Sequence, residues 1–350
     1  MYSRLMIRIV LFGLGLAAPQ LAFAQQNDSY KYYRIGNAND VLPKTVSGFA
    51  LMGGGKDQDA AFQWMCNKSG AGDFVVLRSS GNDAYNDYIA HLCHQNSVAT
   101  LVILNRDAAM ESKVATIIRN AEALFIAGGD QGNYVRDWQG TPLQDAINEL
   151  IRRGVPIGGT SAGLAVLGEF SYSALNDKNV TGNLDSTQAL SDPYNERVTI
   201  TRDFLRVSLL RRTITDTHFV KRDRLGRLLA FMARIVQDKM AADVRGIGVD
   251  ERSAALLEPD GSVTVVGTGS GAYFFKPAKN PEVCAKRKPL TYADVAVYKV
   301  SPGATFNISG WKGSGGTSYS LHVNQGVIHS TAPDGSLYTN SRPDSAPPPR

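Results

Sequence analysis

The sequence predicts an α/β fold: a mostly parallel sheet flanked by helices, a sharp strand-to-helix turn, and a small β appendage near the C-terminus. Three observations predict it. From Ser47 onward, short apolar runs alternate with amphipathic stretches, the signature of parallel strands joined by crossover helices. Those runs lack polar alternation, as suits strands buried on both faces. A glycine-rich segment, Gly158 to Gly163, then links the last run to a helical stretch. With 350 residues, 43% hydrophobic and 20% charged, the composition is globular and excludes collagen, coiled coil and disulfide miniprotein.

Residues 1–24 read as an export signal. Arg4 and Arg8 precede an apolar stretch from Ile9 to Ala18, and Ala22-Phe23-Ala24 supplies a small-residue cleavage site. Pro19 leaves the stretch short of the ~20 apolar residues a membrane span needs. The mature chain is therefore expected in the periplasm or the medium, with no membrane span. Residues 25–46 are a lead-in, and 47–290 the α/β domain. Its strands are expected at Phe49 to Met52, Phe74 to Leu77, Ala99 to Leu104, Ala123 to Ala127 and Val155 to Gly158. Helices are expected at Asp59 to Asn67, Tyr85 to His94, Ala108 to Asn120 and Pro142 to Arg153. After Gly246 the texture turns to β, with strands at Gly246 to Val249, Ala254 to Leu257, Val263 to Val266 and Ala272 to Phe275 completing or flanking the main sheet. Residues 291–338 form the β-rich appendage. Residues 339–350, with four prolines after Ser341 and no apolar periodicity, read as a disordered tail.

Removing the signal takes away two arginines and no acid, so the formal charge falls from +5 to +3, too mild to argue for nucleic acid. Three cysteines, Cys66, Cys93 and Cys284, allow one internal bridge in an oxidising compartment, and Cys66 with Cys93 is the expected pair. His91 and His94 beside Cys93 lack a further ligand cluster, so neither a metal nor another cofactor is expected.

Gly159, Ser161 and Gly163 form G-x-S-x-G between a strand and a helix, the context of a nucleophile elbow. A serine there stands at a helix start, where backbone N–H groups stabilise an oxyanion. The Gly128-Gly129 turn ends the neighbouring apolar run, so the N–H groups of Gly129 and Ala162 are the expected oxyanion hole. Among the histidines, only His218 stands with other site-like residues: Asp216 before it and Arg222, Arg224 and Arg227 after it. Cations at a helix N-terminus oppose its dipole, so their clustering there points to a site. An orienting acid would come from Asp250 or Glu251 at the end of a strand; neighbouring side chains on extended chain point oppositely, and the pattern does not choose between them.

These pieces, in this order, resemble the serine peptidase family containing cyanophycinase and the aspartyl dipeptidases, whose fold resembles class I glutamine amidotransferases. The matching motifs are Met52-Gly53-Gly54-Gly55-Lys56-Asp57, Phe125 to Gln131, Gly158 to Gly163, Asp216-Thr217-His218-Phe219 with its arginines, and Gly246 to Glu251. The resemblance implies Ser161 as nucleophile, His218 as base and Glu251 as orienting acid. It also implies substrate contacts from Gln131, Asp216, Arg222, Arg224 and Arg227. Thr217 stands where cyanophycinases typically carry glutamine. The implied activity is hydrolysis of cyanophycin or related aspartyl peptides to β-Asp-Arg-like products through an acyl-enzyme, the arginines meeting carboxylates and Asp216 a guanidinium. The family also implies a homodimer.

Three other readings compete. One is a secreted aspartyl peptidase of the same family with another substrate. Another is an α/β-hydrolase esterase, which would take its histidine late in the chain, at His322 or His329. The last is a binding protein that has kept the pocket and lost hydrolysis.

Overall fold

The computed structural model describes residues 23–26, 29–177 and 183–339. The export signal expected over 1–24 thus lies almost wholly outside the described residues, as does the tail beyond Thr339. Two sheets carry the architecture. Among the described residues the first has eleven strands, and its core is five parallel ones in the spatial order Ser97–Ile103, Asp73–Arg78, Ala123–Ile126, Ile157–Thr160, Phe49–Met52. Their side chains are almost all buried, which is why their sequences read as unbroken apolar runs. Tyr30–Gly36 adds antiparallel to one side, and Ser253–Leu257 followed by Ser262–Gly267 adds antiparallel to the other.

The crossover helices obey local rules. Pro142–Arg153 starts behind Thr141, whose hydroxyl accepts from the Gln144 N–H, has proline in its first turn, and stops at Gly154 with φ 78°. Its Leu143, Ala146, Ile147 and Leu150 are buried against the sheet. The single helix expected over 108–120 is two, Arg106–Met110 and Ser112–Arg119, because Glu111 is extended at φ −66°, ψ 125°. Cys66 and Cys93 form the disulfide, tying the end of helix Asp59–Lys68 to the end of helix Ala84–Leu92, and Cys284 is free and buried.

The second sheet has eight strands among the described residues and forms a separate layer that the sequence pattern does not mark. Arg245–Val249 runs parallel to Thr213–Asp216 and antiparallel to Ala272–Pro277, so the strands after Gly246 divide between the two sheets. The residues expected as an appendage continue both: Tyr292–Val300, Thr317–Asn324 and Val327–Ser330 extend the second sheet, while Thr305–Asn307 and Lys312–Ser314 extend the first. Helix Leu225–Gln237 packs its apolar face on the second sheet. No helix among the described residues is long and apolar enough to cross a membrane.

At the amino edge of the first sheet, carboxylate oxygens of Asp40, Asp73 and Glu122 lie within 4.8 Å of one another. Burial, reinforced by the two neighbouring carboxylates, pushes Glu122 up to about 7 against the opposing Asp73 N–H bond and Arg153. Between an ordinary glutamate pKa and 7, the folded chain holds a proton that the unfolded chain has released, so stability falls as pH rises through that window. Glu122→Gln is therefore expected to exceed the wild type in stability above pH 7 by roughly 1–2 kcal/mol, discounted for solvent screening, and to match it below pH 4. Urea melts at pH 4 and pH 8 check this, and equal stability at pH 8 would count against it.

Candidate active site

The site forms where the two sheets meet. Ser161 directly follows strand Ile157–Thr160 and precedes the short helix Ala162–Ala165, at φ 52° and ψ −117°. This strained backbone turns the side chain out of the strand. The turn is possible because its neighbours are glycines: a Cβ on Gly163 would lie 1.9 Å from the Ile126 carbonyl oxygen, and one on Gly159 would lie 2.5 Å from the Gly163 carbonyl carbon. The strand itself runs two residues further than expected, delivering Ser161 at its carboxyl end.

His218 follows Thr213–Asp216, an interior strand of the second sheet, and has φ 47°. Its N–H donates to the Gly53 carbonyl at 2.7 Å. Its ring lies against Gly54, where a Cβ would come within 2.5 Å of Cε1, so the Gly53-Gly54-Gly55 loop must be bare. His218 Nε2 lies 2.7 Å from Ser161 Oγ, and Nδ1 lies 2.6 Å from Glu251 Oε1. Glu251 sits in the turn that leaves Arg245–Val249 of the second sheet and enters Ser253–Leu257 of the first. Asp250 faces the other way: its Oδ1 accepts the N–H groups of Val220 and Lys221 at 2.9 and 3.0 Å, holding the chain just past His218. Glu251 thus lies on the imidazole, while Asp250 braces the loop.

Burial, with Arg222 and Arg224 adding to it, lowers His218 to about 4 in spite of the Glu251 hydrogen bond, which raises it. At neutral pH the imidazole is uncharged and can accept a proton from Ser161. The Gly128-Gly129 turn lies alongside: a Cβ on Gly128 would be 3.4 Å from the Ser161 Cβ. Gln131 opens helix Gln131–Trp138 just beyond that turn and is half-buried, with Asp130 capping the helix through the Gly132 N–H at 2.8 Å.

The arginines are not equivalent. Arg222 is exposed on its side chain (43%), with Nε 3.9 Å from Glu251. Arg224 is buried and donates to both the carbonyl and the hydroxyl of Thr217 at 3.0 Å. Arg227 is 2% exposed and grips Asp216 with two hydrogen bonds of 2.7 and 2.5 Å, its guanidinium also lying over the Tyr172 ring. This corrects one expectation: the guanidinium that Asp216 meets is the protein's own. Both Asp216 oxygens are engaged and the residue is 2% exposed, so Asp216 and Arg227 form an internal pair. His322 and His329 face each other across the hairpin at the edge of the second sheet, His322 lying 3.5 Å from Asp294, so neither takes the place of His218.

The sequence pattern marks neither Tyr85 nor Tyr338. Tyr85 donates to Asp57 at 2.6 Å, and burial raises the Asp57 carboxyl, which also neighbours Thr160 and Arg78. Tyr338 reaches the loop after His218 from the far C-terminus. Nothing in spacing marks a contact across more than a hundred residues.

An α/β fold with a serine, a histidine and a glutamate in one hydrogen-bonded line at a strained elbow has the arrangement of the serine-peptidase class. Comparison with known proteins narrows this. The model of Peptidase family S51 matches residues 78–191, which include Gly129, Gln131, Ser161 and Ala162 and end before His218. The chain is 29% identical over 216 residues to the cyanophycinase of Trichormus variabilis, covering 60% of this chain and 65% of that one. It is 27% identical over 230 residues to the cyanophycinase of Synechococcus elongatus, covering 63% and 65%. The chain thus spans just under two thirds of the length of these curated relatives. Among solved structures, a peptidase from an acI-B1 Actinobacterium aligns with 67% of this chain and 91% of its own, at 17% identity and a TM-score of 0.47. Over these stretches the chain is similar to Peptidase family S51 and to cyanophycinases.

Proposed function

We propose that this chain is an exported serine hydrolase of cyanophycinase type, cleaving cyanophycin or related aspartyl peptides to β-Asp-Arg-like products. The observation that carries the reading is the Ser161–His218–Glu251 line, with spacings of 2.7 and 2.6 Å on a strained elbow. Ser161 Oγ attacks the scissile carbonyl as His218 Nε2 takes its proton. The tetrahedral oxyanion is held by the Gly129 and Ala162 N–H groups. His218 then protonates the leaving amine, and water, deprotonated by the same imidazole, releases the acid from the ester. Glu251 fixes the ring through Nδ1 and stabilises its cationic form. Among the arginines, Arg222 has the exposure to meet a substrate carboxylate, with Gln131 beside the oxyanion turn; Arg224 and Arg227 shape the floor from within.

Mass-spectrometric product analysis of the full chain expressed with its N-terminal segment, offered cyanophycin and a panel of α- and β-linked aspartyl peptides, tests the activity. Release of β-Asp-Arg supports the cyanophycinase reading. Cleavage of small aspartyl peptides alone moves the assignment to a related peptidase, and binding without turnover in either case overturns the hydrolase reading. Recovery of the protein with Met1 intact in the cytosolic fraction would overturn export.

The low pKa of His218 gives a pH prediction. The base must be neutral, and protonation sets in only near pH 4, so the acid limb of kcat/KM is expected near pH 4 instead of near the ~6.5 of an ordinary histidine. Arg222→Gln removes one of the cations disfavouring the imidazolium and should move that limb upward. A limb near 6.5 in wild type, unmoved by the substitution, would contradict the assignment.

A further inference from the structure

Helix Leu225–Gln237 begins badly by its own sequence. The residue ahead of it is Arg224, with no side-chain cap of its own, and Arg222, Arg224 and Arg227 outnumber the one acid, Asp223, where the helix dipole already places positive charge. The loop that feeds it contains two non-glycine residues with φ near +45°, His218 and Asp223. Something must hold this turn in place. Asp250 holds its first half, through Val220 and Lys221.

The second half is held by Ser186, whose hydroxyl donates to the Asp223 carbonyl and accepts from the Arg227 N–H at 3.2 Å, and by the C-terminal segment. The Tyr338 hydroxyl accepts from the Leu225 N–H at 3.1 Å and donates to Asp223 Oδ1 at 2.8 Å. It supplies the missing cap and anchors the strained residue. Its ring stands edge-on to Phe219 and Tyr273 at 5.8 and 5.9 Å. Its carbonyl accepts from the Tyr273 hydroxyl at 3.0 Å and from Lys299 Nζ at 3.3 Å, and Lys299 also reaches the Thr339 carbonyl. One residue upstream, Leu337 is fastened by the Tyr319 hydroxyl at 2.7 Å. Burial beside Asp223 raises the Tyr338 phenol well above its ordinary value, so it stays a donor throughout the working range.

We infer that Tyr338 is a positioning residue of the active site. By pinning Asp223 and Leu225 it sets the path of the turn that carries Arg222 and Arg224, and through that turn the setting of His218 against Ser161. The C-terminal strands thereby serve the site from the far edge of the second sheet. The charged groups that bear on His218 are Glu251, Arg222 and Arg224, and a loosened turn moves the two arginines while Glu251 stays on its own loop.

The test compares Tyr338→Phe with Tyr319→Phe in the full chain. The first deletes the hydroxyl that touches Asp223 and Leu225; the second deletes a hydroxyl fastening the same segment without touching the turn. Two readouts are used: NMR titration of the His218 imidazole, and kcat/KM on an aspartyl peptide. For Tyr338→Phe the titration midpoint is expected to rise by about half a pH unit as the arginines move off, and kcat/KM to fall about tenfold. Tyr319→Phe should move neither. An unchanged His218 titration in Tyr338→Phe, or equal losses in both variants, overturns the positioning role. The kinetic arm rests on the hydrolase reading and the titration does not, so absence of wild-type turnover would sink that reading and leave this inference to the NMR.

Discussion

Ser161→Ala is expected to lower kcat by about four orders of magnitude or more, while leaving aspartyl-peptide affinity and stability near those of the wild type. The reason is local. The Oγ lost is the atom 2.7 Å from His218 Nε2, and the alanine methyl fits where the serine Cβ stood. His218→Ala should cost about as much, and the double variant little more, because the pair acts as one unit. Glu251→Gln should fall between, since an amide N–H aimed at Nδ1 favours the wrong imidazole tautomer. The elbow adds an internal control: because Ser161 sits at φ 52°, ψ −117°, glycine relieves strain there, so Ser161→Gly should be as inactive as Ser161→Ala yet no less stable. Progress curves with tight-binding controls for contaminating peptidase read the first effect, and turnover within tenfold of wild type in Ser161→Ala would remove Ser161 from the mechanism.

How much of this was legible in the sequence depends on how local each constraint is. The elbow was legible because its constraint is contained in a few residues: small side chains at Gly159 and Gly163 are demanded by their immediate neighbours. His218 was legible because its arginines follow within ten residues. The residue pattern alone does not choose the orienting acid, which only the resemblance gives as Glu251, since Asp250 and Glu251 differ only in which of two packed loops each one faces, and that is set where the chain crosses between sheets. The division of strands between those sheets was equally hidden: Arg245–Val249 and Ser253–Leu257 have the same apolar texture, and partner choice is a long-range decision. Three-residue strands such as Phe170–Tyr172 and Ile200–Arg202 are too short to carry a period at all. The arginine cluster shows the limit most clearly. The sequence pattern marks it as a rule-breaking charge arrangement, and the structure shows compensation inside the protein, Asp216 meeting Arg227 and Arg224.

Arg227→Met is accordingly expected to act on stability before it acts on substrate. It would leave the Asp216 carboxylate 2% exposed, with the Thr217 N–H at 2.8 Å and Arg224 at 3.7 Å as its remaining partners. Stranding a buried charge in this way costs about 3–5 kcal/mol, a large part of a domain's net stability. The Leu184 carbonyl would lose its Arg227 donor as well. Removing both charges, with Asp216→Leu added to Arg227→Met, should restore most of the loss, because the pair's worth lies in mutual compensation and its site is otherwise lined by Tyr172 and Phe231. The behaviour of a substrate-binding arginine is the reverse: a higher KM, unchanged stability, and no rescue from deleting an acid. Urea denaturation of the two variants beside wild type, with KM measured on the folded fraction, separates the cases. A single variant of wild-type stability with a raised KM would return Arg227 to the substrate; a destabilised single variant rescued by the double one would fix it, with Asp216, as the clamp beneath the His218 turn.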